Sequence, residues 1–323
     1  MSRSEVAAAA STRTGPHAHT FPLRLVPLLI GLTLGWGFNW PVMKVVMTEM
    51  GPMHFRTHCL AFGALGLFLI ARTAGLPLRV PAGQWPRLVV IALVHMAGWN
   101  VCAALGVRLM DSGRAAILAY TMPAWGALLS AWLLHERFTA RRALGVALAM
   151  GGVVLLLGGE IHAVGRSPIG AALMLGAATS WALGTVVMKR WPVDLPTSSF
   201  TGWQMLISAI PIFTVAVTLE PGPLNPFSLS LWPMLSIFYN IFVAFIFCYW
   251  AWTKIALLAP VGVSSLAVMM VPVVGVFSGM AVLGERPQWQ DMAALILVVA
   301  SLSTVLVPTR AATAPARTSV RGS

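Results

Sequence analysis

Ten apolar runs of about 20 residues follow one another along this chain, separated by short polar breaks. A run of that length crosses a hydrocarbon core of ~30 Å as an α-helix, the one single-segment structure that satisfies its own backbone where no water can. The expected spans run from Leu25 to Val46, Met53 to Arg72, Pro86 to Val107, Gly113 to Leu133, Arg141 to Gly159, Pro168 to Met188, Ser198 to Leu219, Leu231 to Thr253, Pro260 to Leu283 and Trp289 to Val307. Composition agrees, since 58% of the 323 residues are hydrophobic and 9% are charged, too few polar groups to cover a water-soluble domain of this size. The reading is an all-α integral membrane protein.

The first run is too long for a signal-peptide core and lacks a clear small-residue cleavage site, so it is expected to remain as the first span. Residues 1–24 and 308–323 are small, polar and arginine-bearing, and are expected to be disordered cytoplasmic tails. Cys59, Cys102 and Cys248 all fall inside apolar runs, where cysteine acts as a small packing residue more often than as a disulfide or metal ligand.

The net charge of +12 could suggest nucleic acid, but placement matters more than size. Tracing alternate loops from a cytoplasmic N-terminus collects Arg3, Arg13, Arg24, Arg72, Arg79, Arg87, Arg137, Arg141, Arg142, Lys189, Arg190, Lys254, Arg310, Arg317 and Arg321 on one side. The other side holds Lys44, Arg108, Arg114, Arg166 and Arg286, while Arg56 lies within a span. This bias is the positive-inside signature, and with ten spans it places both termini in the cytoplasm.

The chain also repeats itself. Trp36 to Lys44 reads WGFNWPVMK and Trp181 to Lys189 reads WALGTVVMK; in that register Met43 falls on Met188 and Phe55 on Phe200. Further on, Pro123 precedes the pair Glu136-Arg137 and Pro272 precedes the pair Glu285-Arg286 at the same spacing. Two matches in the same order indicate a duplicated five-helix unit. Because five is odd, the second copy is inverted in the membrane, which is the architecture of secondary transporters.

Two five-helix units, each with a Trp in its first helix and a Pro followed by Glu-Arg at the end of its fourth, resemble the EamA repeats of the drug/metabolite transporter superfamily. The segment FRTHCLAFGALGLFLIAR resembles the second helix of that unit, with Arg56 at the usual arginine. The resemblance implies a first repeat over residues 25–159 and an inverted second repeat over 160–307. WGFNWPVMK and the aromatic content are most similar to the YddG-type exporters of aromatic amino acids.

Several residues could serve a substrate. Trp36, Asn39, Trp40 and Met43 share one helical stripe, which either lines a central cavity or forms an interfacial aromatic belt. His95 is the most central ionisable group of any span, with Trp99 one turn on and Asn100 beside it; it is a substrate hydrogen-bonder, a proton carrier, or a histidine satisfied by a carbonyl. Trp181, Thr185 and Met188 form the counterpart stripe, and Tyr120, Tyr239 and Asn240 complete the expected cavity, whereas Tyr249, Trp250 and Trp252 suit a belt. Trp203 and Gln204 could add a polar contact, with Gln204 expected to point inward. Pro123 and Pro272 are expected as paired hinges, with a tolerated bend as the alternative and Ser264 and Ser265 beside the second. Glu136 and Glu285 are expected to cap helix junctions at the two gates.

Arg56 is expected to snorkel or to pair with a helix end. His54 and His58 flank it at metal-ligand spacing but lack a third ligand, so no metal and no cofactor are expected. No catalytic constellation or phosphate-cradling loop stands out. The expected function is export of amino acids or related small metabolites across a bacterial-type cytoplasmic membrane by alternating access, not enzymatic catalysis. Efflux of aromatic cationic drugs is the second reading and a non-transporting scaffold the third. Expected partners are a small-molecule substrate and the lipid bilayer, without nucleic acid; the chain is expected as a monomer, although sequence does not settle its oligomeric state.

Overall fold

A computed structural model describes residues 25–136, 138–162, 168–258 and 261–306. Both expected tails, Arg137, Arg166 and the side chains of Ser264 and Ser265 lie outside the described residues. Ten helical rods make up the described part: α1 (Val26–Val46), α2 (Pro52–Thr73), α3 (Trp85–Leu109), α4 (Ser112–Leu133), α5 (Ala140–His162), α6 (Pro168–Arg190), α7 (Thr197–Leu219), α8 (Leu231–Tyr239, Asn240–Phe247 and Cys248–Leu258), α9 (Val261–Leu283) and α10 (Trp289–Leu306). Over the described residues eight are long and apolar enough to cross a membrane, and α9 and α10 supply shorter apolar stretches, Met269–Leu283 and Trp289–Thr304.

The rods pack as the inverted duplication requires. Helices α2 and α7 lie against each other, as do α5 and α10, while α1 packs on α9 and α6 on α4. Exchanging the halves maps α2–α7 and α5–α10 each onto itself and α1–α9 onto α6–α4, so the bundle has a pseudo-two-fold axis. The loops obey the same exchange. Glu49, after α1, accepts from the Ser230 backbone N–H at 2.7 Å at the start of α8, and Asp194, after α6, accepts from Gln84 Nε2 at 2.7 Å at the start of α3. The Arg-rich end of the bundle carries the loops around Arg79, Arg142 and Arg190; the opposite end carries Lys44, Arg108 and Glu285.

Three of the ten rods are irregular. Helices α3 and α8 each contain a π-helical segment, Ala92–Ala97 and Asn240–Phe247, at corresponding depths of the two halves. Such a segment shifts carbonyls out of register, and in a hydrocarbon setting they need donors. The other half provides them: Trp36 Nε1 donates to the Ala244 carbonyl at 3.1 Å, Ser208 Oγ to the Ala92 carbonyl at 2.9 Å, and Ser180 Oγ to the Val94 carbonyl.

Helix α4 is broken where sequence alone reads a continuous span. Its first arm, Ser112–Ala119, ends at Tyr120, and its second, Met122–Leu133, begins with Pro123 in its first turn. A proline there cannot donate to the preceding turn. At the break the Leu118 carbonyl accepts from the Thr121 backbone N–H at 3.2 Å and from Thr121 Oγ1 at 2.6 Å, and Trp125 Nε1 donates to Thr121 Oγ1 at 3.2 Å. Its counterpart α9 runs unbroken past Pro272.

Candidate functional site

A cavity of about 610 Å³, counted out to its mouth, opens between the halves near mid-depth. Helix α1 contributes Trp36, Asn39, Trp40 and Met43, the stripe expected from their spacing. Trp99 and Ala103 of α3, Trp181 of α6, and Ala244, Phe245 and Tyr249 of α8 form further walls, while Tyr120 and Met122 enter from the break in α4. The break therefore has a local consequence: it puts Tyr120 at the cavity edge, 6% exposed, instead of within a straight helix.

Aromatic rings brace one another around this space. Trp36 meets Tyr249 edge to face at 5.6 Å between centroids, and Trp99 meets Trp181 at 5.1 Å. Rings held in this way offer apolar contact area with little rotamer freedom left to lose on binding. Trp36 is further fixed by its bond to the Ala244 carbonyl.

Several of the expected site residues stand elsewhere. His95 lies behind the ring wall, buried between α3, α6 and α7, with Nδ1 3.0 Å from Gln204 Oε1 and its ring 4.2 Å from that of Trp181. The reason is steric: Gly184 of α6 passes so close to His95 that a Cβ would collide with it. Tyr239 turns away and donates to the Gly35 carbonyl at 2.8 Å, and buried Asn240 donates to the Ser236 carbonyl at 3.0 Å, both packing α8 internally or on α1. Thr185 is exposed one turn beyond Trp181, with its hydroxyl on the Trp181 carbonyl at 2.9 Å. Trp203 meets Trp85 and Phe68 at 5.1 Å and donates to the Leu78 carbonyl at 2.8 Å, away from the cavity.

Arg56 corrects the sequence reading most. It neither snorkels nor pairs with a helix end; it lines the cavity at 2% exposure. Its guanidinium lies 4.8 Å from the Phe55 ring centroid and 5.8 Å from that of Phe245, and Nη2 donates to the Met43 thioether at 2.7 Å. Tyr249, read as belt, also belongs to the cavity wall. One sequence signal pointed toward Arg56, an arginine one turn inside an apolar span; none distinguished Tyr249 from the belt.

Ion pairs bridge the two halves at both ends of the bundle. At the Lys44 end Met43, Met47 and Met50 are buried, and Lys44 reaches Glu285 at 3.6 Å and the Met110 carbonyl at 3.0 Å. Glu285 accepts from the Ser112 backbone N–H at 2.7 Å, the Gly113 N–H at 3.1 Å and the Ser112 hydroxyl at 3.0 Å, so one carboxylate caps the start of α4 and binds the end of α1. At the Arg-rich end Glu136 joins Lys189 and, at 3.0 Å, Arg142. There the Lys189 ammonium and then the Arg142 guanidinium hold the Glu136 carboxyl below the usual carboxylate range. This pair is more open to solvent, with the Glu136 side chain 23% exposed against 10% for Glu285. Gly126, on the second arm of α4, has open space where a Cβ would sit. Among the described residues no group of three or more His, Cys, Asp or Glu could hold a metal.

The chain matches the family described as EamA-like transporter family over residues 23–158 and again over 168–307. It is 26% identical over 262 residues to the uncharacterized transporter YoaV of Bacillus subtilis, covering 80% of this chain and 88% of that one. It is 28% identical over 277 residues to the probable amino-acid metabolite efflux pump of Escherichia coli, covering 83% and 89% respectively. A crystal structure superposes with a TM-score of 0.61 at 19% identity over 87% of this chain and 96% of that one, which shows a shared fold.

Proposed function

This chain belongs to the EamA-like transporter family, and we propose that as a multi-pass membrane transporter it exports amino acids with apolar or aromatic side chains, or closely related metabolites. The single observation that carries this reading is the cavity itself: a ring-lined space between two inverted halves, with a few convergent polar groups, Asn39 and Arg56 among them. Such a site suits a small molecule with an apolar body and a polar head. Similarity to a probable amino-acid metabolite efflux pump supports the same substrate class. The YddG-like stretch Trp36–Lys44 narrows it toward aromatic side chains, since its Trp36, Asn39, Trp40 and Met43 all line the space.

Alternating access supplies the mechanism. Here a latch is made at each end, Lys44–Glu285 and Lys189–Glu136, the first with the more buried carboxylate. The positive-inside bias makes the Arg-rich end the cytoplasmic side of a bacterial-type inner-membrane protein. Release of the Lys189–Glu136 pair would admit substrate from the cytoplasm, and release of the Lys44–Glu285 pair would then expose it on the other side.

The competing reading, efflux of aromatic cationic drugs, is disfavoured because among the described residues no carboxylate lines the cavity and a guanidinium does. The test is uptake into liposomes reconstituted with the purified protein, using radiolabelled amino acids and aromatic cations with and without a pH gradient. Transport of apolar or aromatic amino acids is expected; movement of the cations alone would establish the alternative, and movement of neither would end the exporter reading.

A further inference from the structure

Two polar groups of the cavity have unmet hydrogen-bonding capacity, and they are of opposite sense. Arg56 Nε is buried without an acceptor, and among the described residues no carboxylate forms an ion pair with this side chain. Its partners are two aromatic rings and a thioether, which accepts hydrogen bonds weakly. Asn39 Oδ1, on the neighbouring helix and lining the same cavity, is a buried acceptor without a donor. A buried guanidinium normally persists only when paired and hydrogen-bonded, and a buried amide oxygen needs a donor. Evolution of the repeat points the same way: in the register that places Phe55 on Phe200 and Trp36 on Trp181, Arg56 falls on Thr201 and Asn39 on Gly184. The second half therefore supplies neither group.

We infer that Arg56 and Asn39 form the head-group subsite of the cavity, where the guanidinium takes the substrate carboxylate through its fork of donors and the Asn39 oxygen accepts from the substrate ammonium. The inference rests on the amino-acid reading of the cavity and deepens it to a zwitterion clamp. An arginine fork matches a carboxylate with two parallel N–H···O bonds, a geometry that a lysine cannot copy. The Met43 thioether and the rings of Phe55 and Phe245 hold the guanidinium in place without neutralising it. Its charge thus remains available to a ligand in a low-dielectric site.

The experiment measures equilibrium binding to the purified full-length protein of radiolabelled L-phenylalanine and of 3-phenylpropionate, which has the carboxylate but no ammonium. Competitors are L-phenylalaninamide, which keeps the ammonium and loses the carboxylate, and 2-phenylethylamine. Removing the carboxylate should weaken binding roughly ten- to a hundredfold, the range for a hydrogen bond to a charged group. In Arg56→Gln that discrimination should fall toward one; Asn39→Leu should selectively weaken compounds carrying the ammonium. If Arg56→Gln does not fold, the carboxylate-to-amide ratio of the parent decides alone. Equal binding of L-phenylalanine and its amide by the parent, or an unchanged ratio in Arg56→Gln, overturns the clamp while leaving amino-acid export standing. Binding of 3-phenylpropionate but not of L-phenylalanine, abolished in Arg56→Gln, keeps the anion-binding role of Arg56 but overturns the zwitterion clamp and the amino-acid reading. Preference for 2-phenylethylamine, or binding of none of the four, overturns the clamp.

Discussion

Lys44 and Glu285 join the end of α1 to the loop after α9 across 3.6 Å, and their counterparts in the duplicated register, Lys189 and Glu136, join the end of α6 to the loop after α4 at the opposite end of the bundle. Each pair bridges the two halves, and the Glu285 carboxylate is the more buried of the two. Glu285 carries the larger share of contacts, because it also caps α4.

Replacing Glu285 by Gln should loosen the Lys44 end. The substitution removes the charge that Lys44 and the α4 N-terminus share, at a cost of about 1–2 kcal/mol to the closed arrangement. A single cysteine at Ala103 in a background free of Cys59, Cys102 and Cys248 should then react faster with an impermeant maleimide applied from the Lys44 side. Glu136→Gln should raise labelling from that side far less. Unchanged labelling in Glu285→Gln would show that the latch does not hold the end shut.

Acid should release the other latch. Because Lys189 and then Arg142 depress the Glu136 pKa, its contribution is present above the ordinary carboxylate range and is lost as pH falls through the depressed value. Distances between spin labels at Leu133 and Lys254, in a background free of Cys59, Cys102 and Cys248, should therefore stay constant between about pH 5 and 8 and change only in stronger acid, beneath the ordinary Asp/Glu values. The acid transition should be missing from Glu136→Gln; a transition near pH 6 would point to a different group.

His95→Ala should act on stability instead of substrate affinity. It removes the bond to Gln204 and the stacking on Trp181 behind the cavity wall, a loss of about 1–3 kcal/mol. Thermal unfolding should show a lower midpoint, and KM for the transported amino acid should stay within about twofold, since the side chain makes no cavity contact. Trp99→Ala should instead raise KM several-fold through lost ring contact worth about 1 kcal/mol. Val101, two residues from Trp99 and on another helix face, is the control whose replacement by Ala leaves KM unchanged.

Pro123→Ala should mend α4. With a backbone donor restored, its two arms can join into a continuous helix like α9. Tyr120 would then rotate away from the cavity edge, and the balance between the two access states should shift at least twofold in side-specific cysteine labelling. Pro272→Ala should change labelling less in this state, because α9 already runs unbroken through that residue; equal effects from both substitutions would contradict this account.

The number and length of the helices, the duplication and its inversion were legible in the sequence, because a hydrocarbon environment demands apolar runs of fixed length and an odd repeat must invert. The α1 stripe was legible for a similar reason: side chains three and four residues apart on a helix share a face whatever lies opposite. What lies opposite was decided only by tertiary packing. Gly184 brings α6 against His95 and leaves that histidine behind the wall, while in α8 Asn240 bonds to its own helix and Ala244 and Tyr249 face the cavity. The role of Arg56 was hidden for the same reason. An arginine one turn into an apolar span can snorkel as readily as it can face inward, and only the packing of α2 against α7 and α8, with Phe55 and Phe245 around the guanidinium, confines it to the cavity with its charge unpaired.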